Sequence, residues 1–230
     1  NIKVINLNKK FKVQKKTRFL NVNRYEKLLQ VTNFKNLETS LYNLDKNKIN
    51  KLFNSKNRLI ICDFGIGLFG KDLIKKINKL KTPKFINVQT NSINFGENLF
   101  TKYSNFKYIS LDKREWELAG YNTDLKNHKN VINSFKNSLK SITLGKEGSL
   151  FVSKKKTFFA PVFIDKTIDT TGCGDAYFII TSLMIIAKLD DKLVPFIGNI
   201  YAGLHSEHLA NSKLLDKISL LKYTKSVLNF

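Results

Sequence analysis

Three short, largely apolar runs constrain the fold of this chain more than any other sequence feature. They occupy residues 58–64, 85–88 and 107–111, and each is followed by polar residues or glycine. Runs of this length and character are typical of parallel strands that are covered on both faces. They alternate with helical patterns, for example at 71–80, and no internal repeat or long linker interrupts the alternation. The pattern predicts an α/β fold with a mostly parallel sheet and helices on both of its faces.

The first 33 residues follow a different pattern. Apolar and polar residues alternate at 4–7, 11–13 and 17–20, and the segment is strongly basic. This alternation predicts β-strands with one solvated face. We therefore divide the chain into a β-rich segment, residues 1–33, and an α/β core, residues 34–230.

The composition favours a globular protein of a reducing compartment. The 230 residues are 42% hydrophobic, which is enough for a substantial core. Cys62 and Cys173 are far apart and have no metal-ligand spacing, so we expect a cytoplasmic protein without disulfides. The longest apolar run, 177–187, is well short of the roughly 20 residues of a membrane span. It predicts a buried core helix and no membrane partner.

The formal charge of +22 does not by itself indicate a nucleic-acid-binding protein. Almost all of the positive charge is lysine spread along the chain, and arginine occurs only at positions 18, 24, 58 and 114. Proteins that read nucleic acid sequence rely on arginine and concentrate their charge on one face. We expect no nucleic acid partner and interpret the lysines as a compositional bias of the source proteome. Nucleic acid binding is the alternative that rests on charge alone, and the charge would also attract anionic substrates.

Residues 169–175, which read Asp-Thr-Thr-Gly-Cys-Gly-Asp, carry the strongest functional pattern. The two glycines lie where an extended segment gives way to a helix, so backbone N–H groups can converge on an anionic oxygen. Asp175 follows at the start of the helix. A carboxylate in that place cannot bind phosphate, and proton abstraction is the chemistry that suits it.

This stretch resembles the Asp-Thr-x-Gly-Ala-Gly-Asp motif of the PfkB/ribokinase family of carbohydrate kinases, with Cys173 where the family usually has alanine. The resemblance implies a ribokinase-like fold and ATP-dependent phosphoryl transfer to a sugar hydroxyl. It assigns Asp175 as the catalytic base, and the amides of Gly172, Cys173 and Gly174 as the group that stabilises charge on the transferred phosphoryl. The alternative is an ordinary glycine turn before a buried helix.

Other segments resemble the nucleotide-binding parts of the same family. Residues 143–148 are similar to its Thr-x-Gly-x-x-Gly segment, and the predicted helix at 194–209 is similar to the one that lines its adenine pocket. The resemblance implies that ATP is bound by Thr143, Gly145, Gly148, Asp169 and Asn199. His205 and His208, on the same predicted helix, have no partner cluster in the sequence and are interpreted as surface residues.

Asp112 and Glu115 stand where the family has Asn-x-x-Glu, a segment that helps to order Mg²⁺, often through water. A carboxylate at position 112 keeps an oxygen ligand for a hard cation but loses the amide donor. The alternative is a helix N-cap at Asp112 with Glu115 three residues on, and both interpretations can hold together. Some family members also bind a monovalent cation beside the anion site, which is a further expectation here.

Two strand ends depart from the family pattern. Residues 63–67 are similar to Asp-Tyr-x-Lys-Gly, with Ile66 in place of the lysine, so Asp63 is expected near the phosphates or metal; a plain strand-end turn is the alternative. Residues 89–92 stand where many members have Asp-Pro-Lys. The sequence of residues 87–92, Asn-x-Gln-Thr-Asn-Ser, resembles a subgroup that also carries a nucleotidyltransferase domain, so a fused or partner domain of that kind is expected.

The basic segment 16–20 resembles the region after the substrate lid in heptose-7-phosphate kinases, a branch of the same family. By this resemblance Lys16 or Arg18 contacts a sugar phosphate, and the β-rich segment derives from a lid whose edges form a homodimer. The alternative is a solvated edge strand that carries protective charges. The chain has no starting Met and no signal-peptide pattern, so we expect it to begin after the N-terminal part of the family fold. A non-catalytic nucleotide-binding module is the alternative function.

Overall fold

The structure, a computed structural model, describes residues 15–21, 26–33, 46–53, 58–91, 94–123, 134–135, 137–154, 156–164, 166–209 and 212–229. The strands expected at 4–7 and 11–13 lie outside these residues. The sequence also predicts a polar helix near 124–139, and most of that stretch lies outside them too. A small antiparallel sheet is formed by β1 (Lys15–Asn21) and β2 (Glu26–Asn33), with a register shift between Phe19 and Leu20.

The main sheet contains six strands in the described part of the chain, and neighbours in sequence are neighbours in the sheet. The strands are β3 (Leu59–Asp63), β4 (Lys84–Val88), β5 (Tyr108–Asp112), β6 (Leu139–Thr143), β7 (Ser149–Ser153) and β8 (Lys156–Ala160). The first four strands run parallel and the last two pair antiparallel. The sequence predicts a strand over 156–168, but β8 ends at Ala160, because Pro161 has no N–H to continue the ladder.

Six α-helices lie in the described residues: α1 (Lys46–Phe53), α2 (Lys71–Lys79), α3 (Lys113–Leu118), α4 (Cys173–Ile186), α5 (Leu193–Ser206) and α6 (Lys217–Val227). None of these helices is both long enough and apolar enough to cross a bilayer. α4 is less completely buried than its apolar sequence predicts, since Ile179 and Leu183 are 38% and 50% exposed.

Helices cover both faces of the main sheet. Ile86 of β4 belongs to a core with α2 and α3, which contribute Ile77 and Trp116. Its neighbour Phe85 belongs to the opposite core, which includes Phe178 of α4. Successive residues of a strand point to opposite faces, so a short apolar strand supplies both cores. The expected mostly parallel α/β sheet with helices on both faces is confirmed.

Buried hydroxyl groups join α4 to the middle of the sheet. The hydroxyl of Tyr108 lies 2.8 Å from Ser141 Oγ and 2.8 Å from Thr181 Oγ1, and Ser149 Oγ donates to Tyr177 Oη at 3.0 Å. Polar groups in a core must be paired, which makes such networks selective for one packing arrangement. The network fixes how α4 sits on the sheet, and thereby where its first turn lies.

Candidate active site

The turn before α4 is closed by its own residues. Gly172 adopts φ +84°, a left-handed conformation that glycine reaches without strain. Asp169 Oδ1 accepts the N–H of Thr171 at 2.9 Å, and the Thr170 carbonyl accepts the N–H of Cys173 at 3.2 Å. Asp169 therefore shapes the turn through its side chain.

This turn leaves an anion site at the helix N-terminus. The N–H groups of Gly172, Gly174 and Asp175 donate to no acceptor in the described part of the chain, whereas the expected Cys173 N–H is engaged within the turn. A Cβ added to Gly174 would meet nothing within 4 Å, so an anion can approach closely. Free N–H groups at a helix N-terminus favour negative charge. We refer to these three N–H groups as the anion cradle.

Asp175 is half-buried beside the cradle. Gln89, which follows β4, donates from Nε2 to Asp175 Oδ1 at 2.6 Å. Burial raises the pKa of the Asp175 carboxyl, while the Gln89 bond and the nearby His205 act in the opposite direction. A carboxylate whose pKa is raised by its surroundings is a stronger base than an exposed one.

Gln89 was not among the expected site residues, although residues 89–92 were expected at the edge of the sheet where the site lies. The sequence indicated a polar cluster at the carboxyl end of a buried strand, and such strand ends line the ligand crevice of α/β sheets. The sequence does not indicate which of the four side chains at 89–92 contacts Asp175.

Glu115 lies in the first turn of α3, directly after the neighbouring strand β5, and is close enough to Asp175 for the two carboxylates to interact electrostatically. Its Oε1 accepts the N–H of Thr90 and its Oε2 the N–H of Asp112, both at 3.0 Å. Asp112 Oδ1 in turn accepts the N–H of Glu115 at 2.7 Å, so the helix-cap interpretation of this pair is confirmed. Burial first, and then the charge of Asp112, raise the pKa of Glu115 to about 7; the two N–H bonds oppose this and Asp175 adds to it.

The donor set around Glu115 suits a hard cation that keeps other ligands. Among the described residues, no three His, Cys, Asp or Glu side chains form a metal-binding group. Mg²⁺ is commonly held by one or two carboxylates together with water and substrate phosphates. Asp112 and Glu115 fit that arrangement, because each of the three carboxylate oxygens that accepts an N–H bond has a further lone pair.

The expected nucleotide residues fall into two places. Thr143 is the last residue of β6 and pairs with Asp112 of β5 in the sheet register. It therefore lies next to the candidate metal-binding pair Asp112 and Glu115. Gly148 and Asn199 meet at Ala160: a Cβ on Gly148 would lie 2.1 Å from the Ala160 carbonyl oxygen, and Asn199 Nδ2 donates to that oxygen at 2.7 Å. Gly145, by contrast, has open space where a Cβ would be.

His205 contacts the cradle turn and is only half-buried. Its Nε2 lies 3.0 Å from the carbonyl oxygen of Thr171. A carbonyl can only accept, so Nε2 carries the proton. The expectation of a plain surface residue missed this contact, and no local pattern would have revealed it because the partner is 34 residues away.

The Asp63 side chain is engaged by its own neighbours at the end of β3, and the two basic residues of β1 lie on the small sheet. Asp63 is 2% exposed, and its carboxylate accepts from Gly65 N–H and from Tyr103 Oη, while Lys102 Nζ lies 2.7 Å away. Lys16 and Arg18 are exposed on the separate two-stranded sheet, where Arg18 Nε donates to Gln30 Oε1 at 3.1 Å.

The chain is similar to known proteins in sequence and in fold. The family model described as pfkB family carbohydrate kinase matches residues 21–178, more than half of the chain. No curated protein matches the sequence. A ribokinase from Giardia lamblia superposes with a TM-score of 0.69 at 14% identity, covering 93% of this chain and 71% of that one.

Two further solved structures are similar in the same way. A nucleoside kinase from Burkholderia thailandensis in complex with inosine gives a TM-score of 0.68 at 15% identity, over 94% of this chain and 70% of that one. Arabidopsis thaliana ribokinase, complexed with ribose and ATP, gives 0.59 at 16% identity and 79% coverage; this chain spans 60% of its length. Identities this low show the fold alone, and the expected ribokinase-like fold is confirmed.

Proposed function

Because this chain belongs to the pfkB family of carbohydrate kinases, we propose that the protein transfers the γ-phosphoryl group of ATP to a hydroxyl of a sugar or sugar phosphate. One observation carries the proposal: Asp175 and the anion cradle share the first turn of α4. A base for the hydroxyl and N–H donors for the phosphoryl charge are two of the groups that phosphoryl transfer to a hydroxyl uses.

Asp175 would act on the acceptor hydroxyl. Oδ1 is held by Gln89, which leaves Oδ2 to accept the hydroxyl proton. As the proton passes to Asp175, the hydroxyl oxygen forms a bond to the γ-phosphorus. The bond from that phosphorus to the bridging oxygen breaks, and its electron pair leaves with ADP.

The anion cradle would stabilise the transferring phosphoryl. The N–H groups of Gly172, Gly174 and Asp175 are fixed by the turn and the helix before any ligand binds. Donors that are already oriented need no reorganisation as charge develops, which is why such groups contribute strongly to catalysis.

Asp112 and Glu115 are the side chains that would hold Mg²⁺, with water and phosphate oxygens completing its ligands. When bound, Mg²⁺ supplies positive charge that offsets the charge of the phosphates. The N–H groups of Thr90 and Asp112 keep the Glu115 carboxylate oriented for this role.

For ATP we assign Thr143, Gly145, Gly148, Asp169 and Asn199 to the nucleotide side of the crevice. The contacts suggest distinct roles for them. Gly145 offers open space for a ligand. Gly148 and Asn199 instead contact the backbone at Ala160 and so support the side of the crevice there. Asp169 shapes the turn. A monovalent cation beside the cradle belongs to the same proposal.

The finer identity of the substrate and the assembly are also proposals. We favour a heptose phosphate, bound in part by Lys16 or Arg18 of a lid formed by residues 1–33, with residues 34–230 as the kinase core in a cytoplasmic protein. A fused or partner nucleotidyltransferase domain would fit the sequence motif at residues 87–92. Substitution of Lys16 and Arg18 by Gln should raise KM for a sugar phosphate and leave KM for the unphosphorylated sugar unchanged.

A homodimer through the hairpin is part of this proposal. Phe19 and Leu29 pair across β1 and β2 and are 51% and 56% exposed, which leaves an apolar face on the small sheet. Sedimentation of the protein and of a Phe19→Ser, Leu29→Ser variant tests this. A concentration-dependent dimer that the variant lacks supports the proposal, and a wild-type monomer contradicts it.

The test of the main proposal is ATP turnover by wild type and Asp175→Asn with a panel of sugars and sugar phosphates. The variant should keep its affinity for ATP and lose roughly 10²–10⁴-fold in kcat. Asp72→Asn is the control, because Asp72 also lies in the first turn of a helix, α2, but is exposed. If wild type binds ATP but turns over none of the panel, the alternative of a non-catalytic nucleotide-binding module is favoured.

A further inference from the structure

We propose that Gln89 is a positioning residue for the base, holding the Asp175 carboxylate in the orientation that receives the acceptor proton. The inference rests on the function proposed above for Asp175. The observation that supports the inference is the hydrogen bond from Gln89 Nε2 to Asp175 Oδ1. This bond is 2.6 Å long and joins residues that are 86 positions apart in the chain.

The donor end of this bond is anchored independently of α4. The N–H of Gln89 donates to the carbonyl of Asp63 at 2.9 Å, and the carbonyl of Gln89 accepts from Asn98 Nδ2 at 2.9 Å. Asn98 also donates to the Asp63 carbonyl at 3.2 Å. The backbone of Gln89 is therefore clamped to the end of β3, and its carboxamide reaches Asp175 from a fixed point.

The acceptor end is anchored as well. Asp175 lies in the first turn of α4, and α4 is fixed on the sheet by Tyr177 and Thr181 through the buried hydroxyl network. A hydrogen bond between two independently fixed elements restricts the rotation of the carboxylate. With Oδ1 held, Oδ2 is the oxygen that accepts no hydrogen bond from the described residues, and the fixed carboxylate provides the restraint that near-attack alignment needs.

The same dipeptide also reaches the second carboxylate of the site. Thr90, next to Gln89, donates its N–H to Glu115 Oε1 at 3.0 Å. Gln89 and Thr90 thus donate one hydrogen bond each, to Asp175 and to Glu115. Because the two donors are adjacent in the chain, they restrict the distance between the two carboxylates.

An uncharged donor suits this position. Ionisable groups that couple to Asp175 come from three elements: His205 of α5, Glu115 of α3 and Cys62 of β3. A carboxamide donates at every pH, and a donor to a carboxylate favours its charged, proton-accepting form. A carboxylate at position 89 would instead add a like charge beside the base.

The experiment compares kcat, KM and pH profiles of wild type with those of Gln89→Leu and Gln89→Glu. Both variants remove the donor, and the Glu variant keeps the size of the side chain. We expect kcat to fall by roughly 10–100-fold in both, as for a displaced reacting group, with KM for ATP within about twofold, as expected where only transition-state contacts are lost. The acidic limb of the kcat/KM profile should move to higher pH. Asn91→Ala, whose side chain contacts the Phe64 carbonyl, is the control for loop perturbation.

A readout without catalysis separates this inference from the proposed function. Carbon NMR titration of the carboxyl of Asp175, assigned by its loss in Asp175→Asn, should show a higher pKa in Gln89→Leu than in wild type. An unchanged pKa, or wild-type kcat in Gln89→Glu, overturns the inference. If wild type turns over no substrate while the pKa still rises, the contact stands and the proposed kinase function is what has failed.

Discussion

The carboxylate of Asp63 lies 2.7 Å from Nζ of Lys102 at the carboxyl end of β3. Asp63 is 2% exposed and Lys102 is 27% exposed, so the pair is largely removed from water. Tyr103 Oη and the Gly65 N–H occupy the other positions around the carboxylate. These contacts give Asp63 a role in holding the loops that border the site.

Removing the cation from this pair should destabilise the fold. In Lys102→Met the buried carboxylate loses its counter-charge, and we expect a loss of about 3 kcal/mol in the free energy of unfolding. Urea unfolding measures it. The control is Lys113→Met, because Lys113 and Glu117 are 4.0 Å apart and both about half exposed; that change should cost less than about 1 kcal/mol. Equal costs would contradict a structural role for the Asp63 pair.

Gly148 should tolerate substitution far less than Gly145. Both have positive φ, +113° and +60°, but only at Gly148 would a Cβ meet backbone, the Ala160 carbonyl oxygen at 2.1 Å. Gly145→Ala should cost roughly 1–2 kcal/mol for the left-handed conformation. Gly148→Ala adds a clash and should cost about 3 kcal/mol or more. Unfolding midpoints that fall together would show that the hairpin adapts to the added atom.

Glu115 should make stability depend on pH. Its pKa is about 7 in the folded protein against 4.5 in the unfolded chain. The folded state therefore binds more protons between these values, and stability falls as pH rises from about 4.5 to 7. Glu115→Gln removes this dependence, so in metal-free buffer its stability relative to wild type should improve from pH 5 to pH 8, by at most about 3 kcal/mol. A difference that stays constant with pH would contradict the raised pKa.

His205 should matter for turnover where His208 does not. His205→Phe removes the donor to the Thr171 carbonyl, which should cost about 1 kcal/mol of stability. It also removes a neighbour that lowers the pKa of Asp175, so the acidic limb of the activity profile should move to higher pH. Steady-state kinetics across pH would measure this. His208→Phe, three residues along the chain, should leave the profile in place; identical profiles for both variants would show that His205 does not influence the base.

The sequence by itself determined those features that depend on local pattern. Short apolar strands such as 85–88 must be covered on both faces, so the mostly parallel sheet could be predicted. The candidate base and the anion cradle lie within residues 169–175, and the capping pair Asp112 and Glu115 is three residues apart, so both groups could be proposed from the sequence. In each case the partners are near in sequence and the geometry of one turn brings them together.

The tertiary structure alone decided how distant residues are used. Gln89 meets Asp175, His205 meets Thr171 and Lys102 meets Asp63, and each contact depends on strand register or helix docking. The tertiary structure also shows that the Cys173 N–H donates to the Thr170 carbonyl within the turn and not to a ligand. The physical reason is that a hydrogen bond requires its atoms to lie within a few tenths of an ångström of an ideal distance. Sequence pattern specifies which elements form, and only their packing positions side chains that finely.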